Sequence, residues 1–274
     1  MSKRADIILV ESGLAQSRER AKALIMEGVV YHGENKVLKP SDAFADDARL
    51  IIRENPIPFV SRGGLKLNKA VEKYSIDLNA LVCVDVGAST GGFTDCMLQN
   101  GAKLVYAVDV GYGQLDWRLR NDERVVCMER HNAREMEPCW FEHVPAFASC
   151  DVSFISIRLI LPGIFNCLAP GGSAVVLVKP QFEAGKNKIG KNGVVREEST
   201  HIEVLTDCAL LALDCGFYIV ALDYSPITGP KGNIEYLMYL IKPGEAAEEA
   251  SVISRNEVAS AAKTVVSLSH SELM

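Results

Sequence analysis

The chain has 274 residues, 48% of them hydrophobic and 23% charged, with a formal net charge of −6. This is the composition of a globular protein long enough to bury a sizeable core in one or two domains, and its charge argues against a wholesale polyanion binder while leaving room for a local basic face. No apolar run approaches the roughly 18 to 20 residues of a membrane span, and no signal-peptide core opens the chain.

The eight cysteines form no CxxC pair and the five histidines have no ligand spacing. Free thiols, no metal and a cytoplasmic location away from membranes are the expectation. The first sixty residues read as a small α+β unit. "RADIILVESGLA" predicts a short helix closed by Gly13, and "SRERAKALIMEG" a second, with Ser17 as N-cap and Gly28 as the left-handed stop. Ala21, Leu24, Ile25 and Gly28 fall at buried helical spacing, with Arg18 and Lys22 four apart on an exposed side. "VVYHGENKVLKP" predicts a tight hairpin about Gly33 to Asn35. Basic side chains on one helix of such a unit suit docking to an RNA backbone, whereas the nine basic and nine acidic residues of 1–60 equally suit a solvated charged face.

The pattern D-x-x-L-V-x-x-G-L-A-x-S-R-x-x-A-x-x-L-I-x-x-G-x-V, running from Asp6 and continuing to Pro40, resembles the small RNA-binding domain named after ribosomal protein S-four. It departs from that family at "VVYHG", where an Asn usually precedes the Gly. The resemblance implies RNA contacts from Arg4, Arg18 and Lys22, to which Arg62 is added from the next segment. "NPIPFV" reads as a stiff linker, giving expected divisions at 1–60, 61–243 and a tail at 244–274.

From about residue 62 strands and helices alternate. Apolar runs at 81–87, 103–110, 146–154, 173–180, 217–224 and 234–241 are apolar on both faces, and helix-length segments separate the first five. That predicts a parallel sheet covered on both sides, with a seventh strand around "RVVCMER". The connection "SPITGPKGN" is too short and too rich in Gly and Pro for a crossover helix, so the last strand should run antiparallel beside its predecessor. The fold class expected is α/β: a Rossmann-like, doubly wound methyltransferase sheet with a reversed last strand, preceded by the small α+β unit.

Ligands of such sheets bind at the carboxyl ends of the strands. The turn "GASTGGF" that follows "VCVDV" is neither G-x-G-x-x-G nor a Walker loop. With Asp109 ending the next strand as a partner for ribose hydroxyls, it admits S-adenosylmethionine or a dinucleotide. Asp151, Lys179 and Glu235 fall at the same sheet edge, either as a functional cluster or as a structural ion-pair network. "EAGKNKIGK" places Lys186, Lys188 and Lys191 on a glycine-bearing loop, a phosphate-gripping lid or a solvated segment.

The ordered set "SRGGLKL", "DVGASTGGF", "DVGYGQL", "ERHNAR", "DVSFIS", "VKPQFEAGK" and "GPKGNIEY" closely resembles the TlyA family of rRNA 2′-O-methyltransferases, historically called haemolysin A, over roughly residues 4 to 243. Within the wider FtsJ-like group this implies a catalytic Lys66, Asp151, Lys179 and Glu235, with Lys179 acting on the hydroxyl as base or electrostatic partner. It further implies S-adenosyl-L-methionine contacts from Asp85, Gly87, Ala88, Ser89, Thr90, Gly91, Gly92, Phe93, Asp109 and Asn132, the last standing where the group often has Asp. The partner implied is ribosomal RNA or a ribosomal subunit, methylated at a cytidine; oligomeric state is not legible. Two other readings stand beside it: a non-catalytic RNA-binding or ribosome-assembly factor, and a haemolysin, for which no spanning helix or amphipathic barrel hairpin is present. A helix near Glu257 to Leu268 is expected within an otherwise mobile tail.

Overall fold

A computed structural model describes residues 2–53, 57–190, 192–244 and 251–273, with the side chains of Glu27, Lys186 and Pro230 left undescribed. The chain divides into two units, Met1–Pro58 and Phe59–Met274. Residues 54–56 of the expected linker lie outside the described residues, as do Lys191 and residues 245–250 of the tail.

The first unit contains β1 (Ser2–Arg4), α1 (Ala5–Glu11), α2 (Arg18–Glu27), β2 (Val30–His32), β3 (Asn35–Lys36), β4 (Ala43–Ala45) and β5 (Leu50–Ile52). Ser17 caps α2 by accepting from the Arg20 N–H, and Gly28 closes it at φ +75°. β2 pairs antiparallel with β3 and β5, and β1 pairs with β4. Ala5, Leu9, Ala21, Ile25 and Val30 form its small core. Within that core's edge Asp6 is fully buried and receives both Arg4 (2.9 Å) and Arg18 (3.0 Å). The Arg4 hydrogen bond dominates in holding the Asp6 carboxyl at about 2, against the opposing effect of burial. Two of the three arginines expected to contact RNA, Arg4 and Arg18, therefore also pair with a structural carboxylate, which sequence spacing alone does not reveal; Lys22 is exposed.

The second unit runs α3 (Gly64–Lys73), β6 (Val82–Val86), α4 (Gly92–Gln99), β7 (Leu104–Asp109), α5 (Trp117–Arg120), β8 (Val125–Glu129), β9 (Phe147–Cys150), α6 (Leu161–Cys167), β10 (Ser173–Val178), α7 (Pro180–Glu183), α8 (Glu198–Asp214), β11 (Tyr218–Tyr224), β12 (Tyr236–Ile241) and α9 (Val258–Leu273). Its seven-stranded sheet has the order β11-β12-β10-β9-β6-β7-β8. β12 is antiparallel to both β10 and β11, and the other pairings are parallel. The Gly- and Pro-rich connection before β12 turns the chain straight back, so β12 slots between β11 and β10.

The helix expected near Glu257 to Leu268 is present as α9 (Val258–Leu273), but it is docked on the sheet domain rather than part of a mobile tail. α9 buries Val258, Ala262 and Val266 in the main core. A polar chain also anchors it: His201 Nε2 donates to the Val195 carbonyl at 3.0 Å, and Nδ1 accepts from the Tyr236 hydroxyl at 2.6 Å, which lies 3.2 Å from Ser269 Oγ. Burial lowers the His201 pKa, consistent with this neutral tautomer. The sequence cue was the apolar spacing of 258, 262 and 266, a stripe that needs a partner surface. Among the described residues no helix is long and apolar enough to cross a membrane, and no group of three or more His, Cys, Asp or Glu could hold a metal.

Candidate active site

Three strand ends and one helix converge at one edge of the sheet. Asp151 follows β9, Lys179 follows β10, and Glu235 precedes the reversed β12, so its start meets the ends of the parallel strands. Lys66 comes from the first turn of α3, whose Leu67, Ala70 and Val71 are buried. Asp223 fixes that helix against β11 by receiving Lys69 at 3.1 Å, Lys73 at 2.9 Å and the Tyr74 hydroxyl at 3.3 Å. Asp223 is held below the usual carboxylate range: burial raises it, but Lys73, the Tyr224 N–H and Lys69 together outweigh burial.

Lys66 Nζ lies 2.7 Å from Glu235 Oε2 and 3.4 Å from Asp151 Oδ2, while Lys179 Nζ lies 2.5 Å from Asp151 Oδ1 and donates to Ser153 Oγ at 2.8 Å. Glu235 is 1% exposed and Lys66 8%. Burial alone would lower the pKa of Lys66; Asp151 and Glu235 together outweigh it and raise it, so Lys66 stays a cation. Two cations and two anions in alternation are what makes burying them tolerable, since an unpaired charge there is strongly destabilising. Gly229 supports the arrangement, because a side chain at that position would collide with the Glu235 carboxylate.

These four residues line a cavity of about 570 Å³. The same cavity is lined by Gly87, Ala88, Ser89, Thr90, Gly92 and Phe93 of the turn after β6, and by Ser61, Arg62 and Gly63. The turn packs tightly on the segment after β9: a β-carbon at Gly87 (φ +87°) would sit 2.7 Å from the Asp151 carbonyl oxygen. Ser89 itself is left-handed, at φ +49°. Its N–H donates to Asp109 Oδ2 at 2.8 Å, and Gly111 N–H donates to Oδ1 at 2.7 Å. Asp109 thus joins the end of β7 to the glycine turn rather than standing free.

Three expected cofactor contacts have other occupations. Asp85 is fully buried and accepts from Thr94 Oγ1 (2.7 Å) and Ser149 Oγ (3.0 Å), so its carboxylate is spent inside the core. Gly91 (φ +94°) makes room for Leu119 and Leu115. Asn132 caps a short helical turn, with Oδ1 accepting from Arg134 N–H at 3.2 Å and Nδ2 donating to Glu135 at 3.3 Å. In the expected lid Lys188 pairs with Glu203, while Ile189 and Gly193 reach the cavity.

The cavity also holds residues that sequence reading passed over. Phe154 is 91% exposed at φ +63° and packs on Phe182 with ring centres 5.1 Å apart. Gln181 bonds Glu235, and Lys231 (φ +61°) donates to the Asn192 carbonyl at 2.8 Å. All lie within the quoted motifs, but Phe154 and Gln181 carry no charge pattern to single them out, and Lys231 stands in a Gly- and Pro-rich turn rather than at a strand end.

A doubly wound sheet with a reversed strand inserted beside β10, a glycine turn braced by the acid ending β7, and a buried Lys-Asp-Lys-Glu cluster define the methyltransferase class of this fold. The chain belongs to the FtsJ-like methyltransferase family, whose profile matches residues 59–242. It is 51% identical over 246 residues to YqxC of Bacillus subtilis, described as a candidate rRNA methyltransferase, with 89% of this chain and 88% of that one covered. It is 42% identical over 238 residues to the 16S/23S rRNA (cytidine-2′-O)-methyltransferase TlyA of Mycobacterium tuberculosis, covering 86% and 89%. A solved structure from Streptococcus thermophilus, described as a candidate hemolysin, superposes with a TM-score of 0.77 at 46% identity, covering 99% of this chain and 96% of that one.

Proposed function

We propose that this protein transfers a methyl group from S-adenosyl-L-methionine to the 2′-hydroxyl of a cytidine in ribosomal RNA. The observation that carries the reading is the Lys66–Asp151–Lys179–Glu235 cluster facing one cavity with the glycine turn. The named activity of the Mycobacterium tuberculosis relative supports the substrate. S-adenosylmethionine supplies an electrophilic methyl that needs little activation; Gly87 to Thr90, Gly92 and Phe93 would hold it, with Asp109 bracing the turn for its ribose.

A ribose hydroxyl is a poor nucleophile near neutral pH, so the protein's work is alignment and removal of one proton. Lys179 faces the hydroxyl as base or as the cation that stabilises developing alkoxide. Lys66, held charged by two carboxylates, and Glu235 orient the oxygen. Arg62, exposed at the cavity, suits a flanking phosphate. Phe154 offers an aromatic face on which a base lifted out of its stack can rest. The first unit supplies RNA affinity through Lys22 and its neighbours, with residues 1–60 and 61–243 dividing anchoring from chemistry. Incubation of purified protein with S-adenosylmethionine and unmodified ribosomal RNA, followed by mapping of 2′-O-methyl groups, tests the reading. One new 2′-O-methylcytidine is expected; methyl incorporation on a base, or none, overturns it.

A further inference from the structure

The charged cluster is rich in donors, and its carboxylates are ion-paired. Lysine ammoniums only donate, and two buried acceptors here lack a hydrogen-bond partner among the described residues: Asp151 Oδ1, which the Lys179 ammonium neutralises at 2.5 Å, and Gln181 Oε1, which faces no cation. Asp151 lies between Lys66 and Lys179, and Glu235 takes Lys66 on Oε2 and the Gln181 amide on Oε1. Gln181 occupies the first turn of α7 directly after Lys179 and Pro180, is only 9% exposed, and lines the cavity.

Its Nε2 donates to Glu235 Oε1 at 3.2 Å. Its Oε1 is buried and meets no donor among the described residues. Turning the amide over would set a carbonyl oxygen against the Glu235 carboxylate, so the orientation is dictated. The carbonyl is therefore a fixed, uncommitted acceptor. A buried acceptor left without a donor is costly, and one that persists at a cavity calls for a donor from a water or a bound molecule.

An internal ribonucleotide has a single hydroxyl, which donates one hydrogen bond and accepts two while it keeps its proton. Two ammoniums can serve its lone pairs and neither can receive its hydrogen bond. We propose, resting on the 2′-O-methylation reading above, that Gln181 Oε1 accepts the O–H of the target ribose and so fixes which lone pair faces the incoming methyl. Gln181 takes no proton. Gln181 leaves the balance unchanged: as the O–C bond forms, the methyl's bond to sulfur would break with its electron pair kept by sulfur, leaving S-adenosylhomocysteine, and the O–H bond breaks, its proton passing to Lys179 where that residue is neutral and acts as base. The competing donor on the same nucleotide is the exocyclic amine of cytosine, and the test separates the two.

Full-length protein saturated with S-adenosylhomocysteine is titrated with three rRNA fragments spanning the methylated nucleotide: unmodified, 2′-fluoro at the target ribose, and with the target base lacking its amine. Wild type should bind the 2′-fluoro RNA about tenfold more weakly than unmodified RNA, because fluorine cannot donate. Gln181→Met should bind both alike to within about twofold, with cofactor affinity unchanged, since its side chain neither donates nor accepts strongly. Gln181→Leu serves the same comparison if the Met variant folds poorly. Retention of the tenfold difference in the variant overturns the proposal. So does a wild type indifferent to 2′-fluoro but weakened by loss of the amine. If wild type forms no 2′-O-methyl product on the unmodified fragment, the functional reading itself fails, an outcome distinct from retained discrimination.

Discussion

Asp109→Ala removes more than a contact to a cofactor ribose. Its two oxygens accept the Ser89 and Gly111 N–H groups, and Ser89 is held at φ +49°. A left-handed non-glycine residue costs roughly 1 to 2 kcal/mol, and hydrogen bonds to a charged acceptor contribute roughly 1.5 to 3 kcal/mol each. Asp109 is partly exposed, so water replaces much of what the turn loses. Without the carboxylate the turn relaxes, and the cofactor must reimpose it at a cost of about 1 to 2 kcal/mol. Adding one lost ribose bond gives a total near 3 kcal/mol, or roughly a hundredfold in affinity. Isothermal titration with S-adenosylmethionine measures it. Ser89→Gly in the Asp109→Ala background separates the two contributions: glycine adopts the turn without strain and should restore about tenfold. An Asp109→Ala variant within threefold of wild type would refute the reasoning. No rescue by Ser89→Gly would leave the ribose contact as the whole effect.

Burial, opposed by the Thr94 and Ser149 hydrogen bonds, pushes Asp85 up to about 6, above its unfolded value. Its contribution to stability is complete below the unfolded pKa and is lost as pH rises through about 6. Asp85→Asn should therefore flatten the fall in urea-unfolding free energy between about pH 4 and pH 7, an effect of up to about 3 kcal/mol. A slope as steep as wild type would count against a buried, titrating Asp85. Lys179→Ala should abolish methyl transfer while cofactor and RNA still bind. Lys179→Arg should fail almost as badly if Lys179 is the base, because guanidinium stays protonated; single-turnover rates against pH decide, and substantial activity leaves Lys179 as an electrostatic partner. Lys22→Ala should weaken rRNA binding and lower the slope of log affinity against log salt by about 1, with cofactor affinity unchanged. Arg18→Ala is the poorer probe, since it also strips a partner from buried Asp6, and a melting-temperature loss for Arg18→Ala but not Lys22→Ala would register that difference.

The sheet was legible because strands covered on both faces are written as apolar runs, and because "SPITGPKGN" leaves no length for a crossover helix. The convergence of Asp151, Lys179 and Glu235 followed from charges at strand ends in known directions. Lys66 did not: it sits on a helix before the sheet, and only its motif pointed to it. What sequence could not supply was the competition for each polar group. Arg4 and Arg18 read as free cations until Asp6 is seen beneath them, and Asp85 reads like Asp109 until the first is found inside the core and the second at its rim. Gln181 lacks charge or periodicity altogether, and its meaning lies in a hydrogen bond to a residue 54 positions away.

The reversed β12 also has a consequence for how the molecule matures. The bond between Lys66 and Glu235 joins positions 169 apart in the chain, and Lys66 to Asp151 spans 85. Contacts of such separation require long loops to close and form late relative to local ones. During synthesis β6 to β8 can pair while β12 is still in the ribosome, which leaves β10 with an open edge and Lys66 without its most buried counter-ion. β12 must then enter between β10 and β11, and α9 emerges only after it. A chain stalled before residue 235 can hold most of its parallel sheet and still lack the charge alternation on which its chemistry would depend. Methyl transfer would then be among the last properties the chain acquires, which makes activity a more stringent measure of complete folding than helix or sheet content.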